Sequence, residues 1–205
     1  IYSFESPTAP TTISTITMDA AKTVYAVWGY DTNNNNIPDV EEKGSVYTLT
    51  YQAEGNTGTL PGTVKAIAGT VIPLDAGTGL THADDNGKTV VFAGWSLNQY
   101  DKIFAAGEGS QVRIITAVTF GAEDVKVYAV WGYDVNNNGV PDMDEADYGL
   151  TYDANGGNAD SVPTDSKKYV ENQVVPLDTQ TTPTHAADGG TAVVFIGWTE
   201  DQTTA

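Results

Sequence analysis

The stretch VYAVWGYDTNNNNIPDVEE at residues 24–42 returns as VYAVWGYDVNNNGVPDMDE at residues 127–145. Its first part is a run of β-branched and aromatic residues, which predicts a strand that ends at a turn. Its second part is an acidic, asparagine-rich loop. The two copies lie 103 residues apart, and a long segment that recurs in this way indicates a repeat protein. The other segments of the chain are therefore best interpreted by their position between these copies.

Further segments repeat with nearly the same spacing. The sequences VIPLD and VVPLD begin at residues 71 and 174, VVFAGW and VVFIGW at residues 90 and 193, and YTLTYQA and YGLTYDA at residues 47 and 148. The first two pairs are offset by 103 residues and the third by 101. One repeat of about 103 residues therefore takes up half of the 205-residue chain.

The order of these segments predicts five parts. They are the last part of a repeat at 1–30, an acidic loop and linker at 31–46, a complete β module at 47–133, a second acidic loop and linker at 134–147, and the first part of a repeat at 148–205. If residue 205 were followed by residue 1, the spacing would continue almost unchanged. We therefore expect a piece of a longer protein, the unit of a tandem array or filament in which the next copy completes the final repeat. Completion within one long chain, strand exchange between subunits, and arbitrarily placed ends all fit the sequence.

Composition narrows the classes of partner. The net charge is −18 and the pI is near 4.1, so nucleic acid and anionic membrane surfaces would be repelled. The chain has no cysteine, which excludes disulfides, thiolate metal sites and thiol catalysis. No run of eighteen apolar residues occurs, so we expect no membrane insertion. The 40% hydrophobic content suffices for packed cores.

Short alternating and β-branched segments separated by glycine, asparagine and proline clusters predict a mainly β fold with at most short helices. No window shows an amphipathic helical period over three turns. Large aromatic side chains should dominate the cores of such small modules. The expected core aromatic residues are Tyr51, Phe92, Trp95 and Trp131 with their copies Tyr152, Phe195, Trp198 and Trp28.

Residues 31–42 and 134–145 match the twelve-residue calcium loop, in which positions 1, 3, 5, 7, 9 and 12 supply oxygen ligands and position 7 uses its carbonyl. In the first loop these positions hold Asp31, Asn33, Asn35, Ile37, Asp39 and Glu42. In the second loop they hold Asp134, Asn136, Asn138, Val140, Asp142 and Glu145. Position 6 must turn sharply, which suits Gly139 and, as the best substitute for glycine, Asn36.

The ligand chemistry favours Ca²⁺. Each loop carries four acids, which would repel one another without a cation. Oxygen ligands without sulfur or imidazole argue against zinc and copper, and their number argues against Mg²⁺. The alternative is a solvated asparagine-rich turn, which does not explain why the 1-3-5-9-12 pattern occurs twice. Because β segments rather than amphipathic helices flank the loops, we predict stiffened joints between β modules and not EF-hand sensors.

The segments YxLTYxA followed by N-G, V-x-P-L, FxGW and VYAVWG resemble the Listeria–Bacteroides repeat, the B-repeat type of internalin-like surface proteins. This resemblance covers nearly the whole chain. It implies small β-grasp-like modules in secreted or wall-attached proteins that act as a stalk or an adhesive surface. The two acidic loops resemble the calcium loops of thrombospondin type 3 and dockerin sequences. Paired loops about twenty residues apart, as in dockerins, are absent, so a cohesin partner is not expected.

Other chemical roles have weaker support. His82 and His185 occupy equivalent places in polar THADD and THAAD segments, where a solvated histidine is more common than a ligand. No spacing brings two acids together at a pocket for glycoside hydrolysis. No spacing indicates an isopeptide crosslink from Lys65, Lys126 or Lys168. Exposed aromatic residues such as Tyr2 and Tyr100 are explained more simply by packing than by glycan binding.

We therefore expect no enzyme. The sequence predicts an extracellular structural repeat unit of a calcium-stiffened surface stalk or filament, whose partners are neighbouring copies of the same repeat. The alternative is an adhesin module that uses its β surface to bind a host or matrix protein or a glycan.

Overall fold

The structure, a computed structural model, describes residues 1–201. This range contains nine short strands, five three-residue 3-10 helices and no longer helix, which confirms the mainly β prediction. None of its helices is long and apolar enough to cross a membrane.

The strands follow the repeat. They are β1 Val46–Gln52, β2 Val64–Ile67, β3 Val71–Pro73, β4 Thr89–Ser96, β5 Ile103–Phe104, β6 Ala117–Thr119, β7 Val125–Asp134, β8 Asp147–Tyr148 and β9 Tyr169–Val170. The 3-10 helices are Asp39–Glu41, Lys43–Ser45, Gly109–Gln111, Asp142–Asp144 and Ala159–Ser161. Strands β1 to β7 form the one unit in the described range that has a complete main sheet.

The main sheet has the order β2-β1-β7-β4. Strand β7 lies in the middle, parallel to β1 and antiparallel to β4, while β5 pairs in parallel with the far end of β7. Strands β3 and β6 form a separate antiparallel pair. Strands β1 and β7, the first and last strands of this module, lie parallel at the centre of the mixed sheet. This arrangement agrees with the β-grasp-like expectation, although the described helices have only three residues each.

From residue 129 to residue 132, strand β7 is buried on both faces, which explains the unbroken apolar run there. Because successive side chains point to opposite faces, Val127, Ala129 and Trp131 lie on one face and Val130 on the other. Val127 and Val130 are almost wholly excluded from solvent. A strand with this burial needs layers of other residues above and below it.

The first face carries an aromatic cluster whose polar atoms all have partners. The Trp95 ring lies 4.8 Å from Tyr51 and 5.0 Å from Phe92, measured between ring centroids. Trp95 Nε1 donates to the Asp75 carbonyl at 2.7 Å, and the Asp75 amide donates to the Tyr51 hydroxyl at 3.0 Å. These bonds give the polar atoms of the buried Trp95 and Tyr51 side chains a partner.

A glycine allows β4 to bend around this cluster. The register between β4 and β7 shifts between Phe92 and Gly94, as in a β-bulge. Gly94 has a φ of 144°, and a Cβ atom there would lie 2.6 Å from Ile114 Cγ2. The VVFAGW segment therefore needs its glycine for both backbone conformation and space.

The second face of β7 is covered by a smaller cluster that includes the loop after the strand. Phe104, Val130 and Met143 are buried together there. Met143 belongs to the acidic segment 134–145, so this loop is anchored to the hydrophobic core.

The prediction that all copies of the core aromatic residues are buried is wrong. Residues 24–28 have the same sequence as residues 127–131, yet they form no strand, and Trp28 is 70% exposed whereas Trp131 is 6% exposed. Phe195, Trp198 and Tyr152 are half-buried. The cause is the absence of neighbouring strands, since no described segment flanks residues 24–28 as β1 and β4 flank β7.

Replacing Leu49 by alanine should therefore cost far more than the same change at Leu150, its equivalent. Leu49 is fully buried against β7, while Leu150 is only half-buried. We expect Leu49→Ala to lower the free energy of unfolding by about 2–5 kcal/mol and Leu150→Ala to lower it much less. Urea unfolding of the two variants measures the difference. Equal losses would contradict the assignment of one complete and one incomplete core.

Candidate metal centre

Both predicted loops follow a copy of the sequence VYAVWGY, and both turn in the same way. Positive φ angles occur at Asn34 and Asn36 in the first loop, and at Asn137 and Gly139 in the second. The sharp turn expected at position 6 is thus confirmed, at 67° for Asn36 and 85° for Gly139. Asparagine and glycine are the residues that adopt this conformation most readily.

The aspartate at position 1 organises each loop. Asp31 accepts hydrogen bonds from the Asn35 and Asn36 amides at 3.0 and 2.9 Å. Asp134 does the same with the Asn138 and Gly139 amides, also at 3.0 and 2.9 Å. The chain is thereby wrapped around a carboxylate, which places the following side chains close to it.

The side chains at positions 3, 5 and 12 converge beside this carboxylate. In the first loop the side-chain amide nitrogens of Asn33 and Asn35 donate to Glu42 Oε1 at 3.4 and 2.8 Å. In the second loop Asn136 and Asn138 donate to Glu145 at 3.2 and 2.6 Å. Each loop thus gathers four of the predicted ligand side chains, two carboxylates and two amides.

The aspartate at position 9 of each loop makes hydrogen bonds of its own, away from this group. Asp39 is buried and accepts hydrogen bonds from the Thr32 amide and hydroxyl at 2.8 and 2.5 Å. Asp142 is likewise buried and accepts from the Val135 amide at 3.0 Å. These acids fasten the start of the loop to its end, a role that the sequence pattern did not indicate.

The backbone amides of the residues at position 7 donate hydrogen bonds within the loop. Ile37 donates to Asn35 Oδ1 and Val140 to Asn138 Oδ1, both at 2.8 Å. Ligation by the Ile37 and Val140 carbonyls, and by Asp39 and Asp142, stays a prediction.

The electrostatics of the second loop favour a bound cation. Burial raises the pKa of the Asp142 carboxyl, and the charges of Glu145 and Asp134 raise it further against the lowering effect of the Val135 amide. In the first loop, Glu42 Oε2 is buried and has no hydrogen-bond partner within residues 1–201. A buried carboxylate oxygen without a donor is costly, and a cation would satisfy it.

The donor set fits Ca²⁺, which binds carboxylate and amide oxygens. No cluster of three or more acidic, histidine or cysteine side chains suited to a metal occurs in the described part of the chain. The three predicted carboxylates of each loop, at positions 1, 9 and 12, therefore do not meet at one point, and calcium ligation by the complete predicted sets stays a prediction.

Each loop also contacts the next structural unit. Asn33 Nδ2 donates to the Ala68 carbonyl at 2.7 Å, and Asn136 Nδ2 donates to the Glu171 carbonyl at 3.0 Å. Ala68 and Glu171 are 103 residues apart and follow β2 and β9, so the same contact is made twice. The amide at position 3 therefore joins the loop to the module that follows it.

The segment before each loop is held equally closely. A Cβ atom at Gly29 would lie 2.9 Å from Pro38 Cβ, and one at Gly132 would lie 2.8 Å from Pro141 Cβ. The glycine of the WGYD segment thus lets the loop fold back onto the residues that precede it. Sequence reasoning identified neither contact. A usable signal was the glycine that recurs at residues 29 and 132, 103 residues apart, directly before each loop.

The two histidines make the same backbone contact, and His82 also packs against an aromatic ring. The His82 ring lies 4.9 Å from the Trp131 ring, and its Nδ1 is 2.6 Å from the Ala83 carbonyl. His185 makes the equivalent contact with Ala186 at 2.6 Å. Asp85, three residues after His82, accepts a hydrogen bond from the Tyr133 hydroxyl.

No protein-family model matches the sequence, and no curated protein or solved structure is detectably similar to it. The resemblances to the Listeria–Bacteroides repeat and to thrombospondin type 3 and dockerin loops therefore rest on the quoted residues alone.

The position-9 aspartate should stabilise the loop even without metal. Asp142→Ala leaves the half-buried Val135 amide without its acceptor, so in chelator we expect a loss of about 1–3 kcal/mol in unfolding free energy. Asp142→Asn is the matched control, because the amide oxygen still accepts the bond and the repulsion from Glu145 and Asp134 is relieved. Urea unfolding in EDTA measures both variants. An asparagine variant as unstable as the alanine variant would contradict the hydrogen-bonding role.

Proposed function

We propose that this chain is a structural repeat unit of an extracellular stalk or filament, in which Ca²⁺ fixes how successive β modules are held. The observation that supports this most directly is the doubled contact of the loops. Each loop packs on the end of one strand segment through Gly29 or Gly132, and each bonds to the next unit through Asn33 or Asn136. A loop in this position controls the angle between modules.

Calcium would be held by the convergent side chains of each loop. These are Asp31, Asn33, Asn35 and Glu42 in the first loop and Asp134, Asn136, Asn138 and Glu145 in the second. The carbonyls of Ile37 and Val140 and the carboxylates of Asp39 and Asp142 would complete the predicted sets, position 9 often acting through water. The bound ion supplies positive charge that neutralises the paired carboxylates. It does so in a chain whose net charge is −18.

An extracellular location agrees with the expected affinity of such loops. Extracellular calcium modules commonly bind with dissociation constants of about 10⁻⁴–10⁻³ M, which suits a calcium-rich exterior rather than cytosolic sensing. The resemblance to internalin-type B-repeats supports the same location. The proposed partners are neighbouring copies of the repeat, and no catalytic step is part of the proposal.

Calcium should stabilise the full chain against unfolding. With about 10 mM CaCl₂ and the affinities above, each occupied loop adds about 1.4–2.7 kcal/mol to the unfolding free energy. Urea unfolding in CaCl₂ and in EDTA measures the gain. Glu42→Gln and Glu145→Gln should each remove most of the gain from one loop, while Glu41→Gln, which changes an exposed acid outside the convergent set, should keep it.

Two results would overturn the calcium proposal. One is an unfolding curve that is identical in CaCl₂ and EDTA. The other is a full calcium gain in the variant that carries both Glu42→Gln and Glu145→Gln.

Calcium should also change the shape of the chain in solution. Small-angle scattering in CaCl₂ should give the asymmetric pair-distance distribution, with a long linear tail, that is typical of a stiff, extended particle. EDTA should release the joints and change the scattering to that of a flexible chain of modules. Scattering that is unaffected by chelator, together with saturable binding of a host protein or glycan by a single chain, would favour the adhesin alternative.

A further inference from the structure

Residues 22–31 lack the neighbouring strands that would make them a strand. They are the equivalent of β7, yet in the described range they make a single parallel bridge, between Tyr2 and Gly29. Val24, Tyr25 and Trp28 are 65% or more exposed, whereas Val127, the equivalent of Val24, is fully buried. A segment rich in valine and aromatic residues that stays in solvent is a surface to be covered.

This exposed segment is already arranged for insertion. The Tyr2 amide donates to the Trp28 carbonyl at 2.9 Å and the Tyr30 amide donates to the Tyr2 carbonyl at 2.8 Å. The parallel Tyr2–Gly29 bridge corresponds to the pairing of Phe104 with Gly132 in the complete module. The segment therefore carries its own copy of β5 in the native position.

The second half of the chain holds the matching frame. The Tyr152 and Trp198 rings are 4.7 Å apart, against 4.8 Å for Tyr51 and Trp95 in the complete module. Phe195 lies 4.9 Å from Trp198, as Phe92 lies 5.0 Å from Trp95.

The polar bonds of this frame are also repeated. Trp198 Nε1 donates to the Asp178 carbonyl at 2.9 Å, and the Asp178 amide donates to the Tyr152 hydroxyl at 2.8 Å. These are the counterparts of the bonds that Trp95 and Tyr51 make with Asp75. The aromatic half of the core is therefore built.

The frame lacks a middle strand. In the complete module β7 lies between β1 and β4 and pairs with both. Within the described range no strand pairs with residues 150–153 or with residues 192–199. Val193 is 41% exposed, whereas its equivalent Val90 is 6% exposed. The missing element is a strand with the sequence of β7.

We propose that residues 22–31 of one chain insert into a second copy as the middle strand of its last repeat, parallel to residues 150–153 and antiparallel to residues 192–199. The complete module defines the register. By equivalence with β7, Val24 pairs with Tyr152, Ala26 with Trp198 and Trp28 with Phe195. Val24, Ala26 and Trp28 then enter the aromatic core, as Val127, Ala129 and Trp131 do.

This insertion names the partner of the proposed filament unit, but it depends on strand pairing and not on calcium. The donor segment and the acceptor frame lie in different parts of the chain, so the contact is heterologous. Such contacts leave a free donor and a free acceptor on every dimer, and they continue into open assemblies unless a rotation closes them. Addition of a strand from another chain is an established means of holding subunits together.

Engineered disulfides test the register, because the natural chain has no cysteine. Tyr25 and Thr199 are the equivalents of Tyr128 and Ser96, which are directly opposed in the complete sheet. Full-length Tyr25→Cys chains mixed with Thr199→Cys chains should form an oxidised heterodimer in good yield. The matched control replaces Tyr25→Cys by Thr23→Cys, two residues out of register, and should give little heterodimer. Each variant alone measures the background.

A second pair of variants tests the buried face. Val24→Asp places a charge on the side that enters the aromatic core and should abolish both the heterodimer and the assemblies seen by sedimentation velocity. Thr23→Asp adds the same charge to the opposite face, where the equivalent Lys126 is exposed, and should leave both intact. Residues 23 and 24 are exposed in the single chain, so urea unfolding of the complete module should be unchanged in both variants.

The outcomes separate this inference from the calcium proposal. Heterodimer formation in both CaCl₂ and EDTA supports insertion, even if calcium has no effect on unfolding. Equal crosslinking of Tyr25→Cys and Thr23→Cys to Thr199→Cys would overturn the register. A chain carrying both Tyr25→Cys and Thr199→Cys that yields only internally bridged monomers would overturn insertion into a second copy.

Discussion

The whole structure depends on the burial of one strand. Strand β7 is hydrogen-bonded along both edges, and from residue 129 to residue 132 it is covered on both faces, so its centre is an unbroken apolar run. The aromatic cluster around Trp95 covers one face, and Phe104 and Met143 cover the other. Removing either edge neighbour would expose backbone groups and large side chains together, and each of these costs free energy. The module is therefore a frame built around a single middle strand.

The acidic loops derive their position from the same strand. Asp134 is both the last residue of β7 and the first residue of its loop, and it binds the amides at the turn. Met143 then returns to the core beside Val130. The loop cannot reorient without disturbing the end of the strand. Asn136 transmits this fixed orientation to the following unit through the Glu171 carbonyl. The proposed role of calcium is thus a local charge effect acting on a joint that hydrogen bonds already define.

The sequence was sufficient for features that depend on local chemistry. The strand-rich class followed from short β-branched segments, and the turn at position 6 followed from the residues Asn36 and Gly139. The burial of Trp28 was predicted wrongly, because its local sequence is identical to that of Trp131 and only the neighbouring strands differ. The bonds of Asp39 to Thr32 and of Asn33 to Ala68 were also missed. Ligand templates assign a position to a side chain, but they do not state which of several nearby donors that side chain will bind.

Strand insertion and the calcium joint would act at opposite ends of one continuous segment. In the proposed assembly, residues 22–31 lie inside the frame of one copy, and the loop at 31–42 leads directly into the module of the chain that donated the strand. Tension along the assembly would then pull the strand along its own axis. In the equivalent intact sheet, β7 pairs with four residues of β1 and seven of β4. Axial load is shared among all of these pairs at once, whereas peeling would break them one at a time. A middle strand followed by a rigid loop is therefore suited to bear load along a filament, because the loop keeps the pull aligned with the strand.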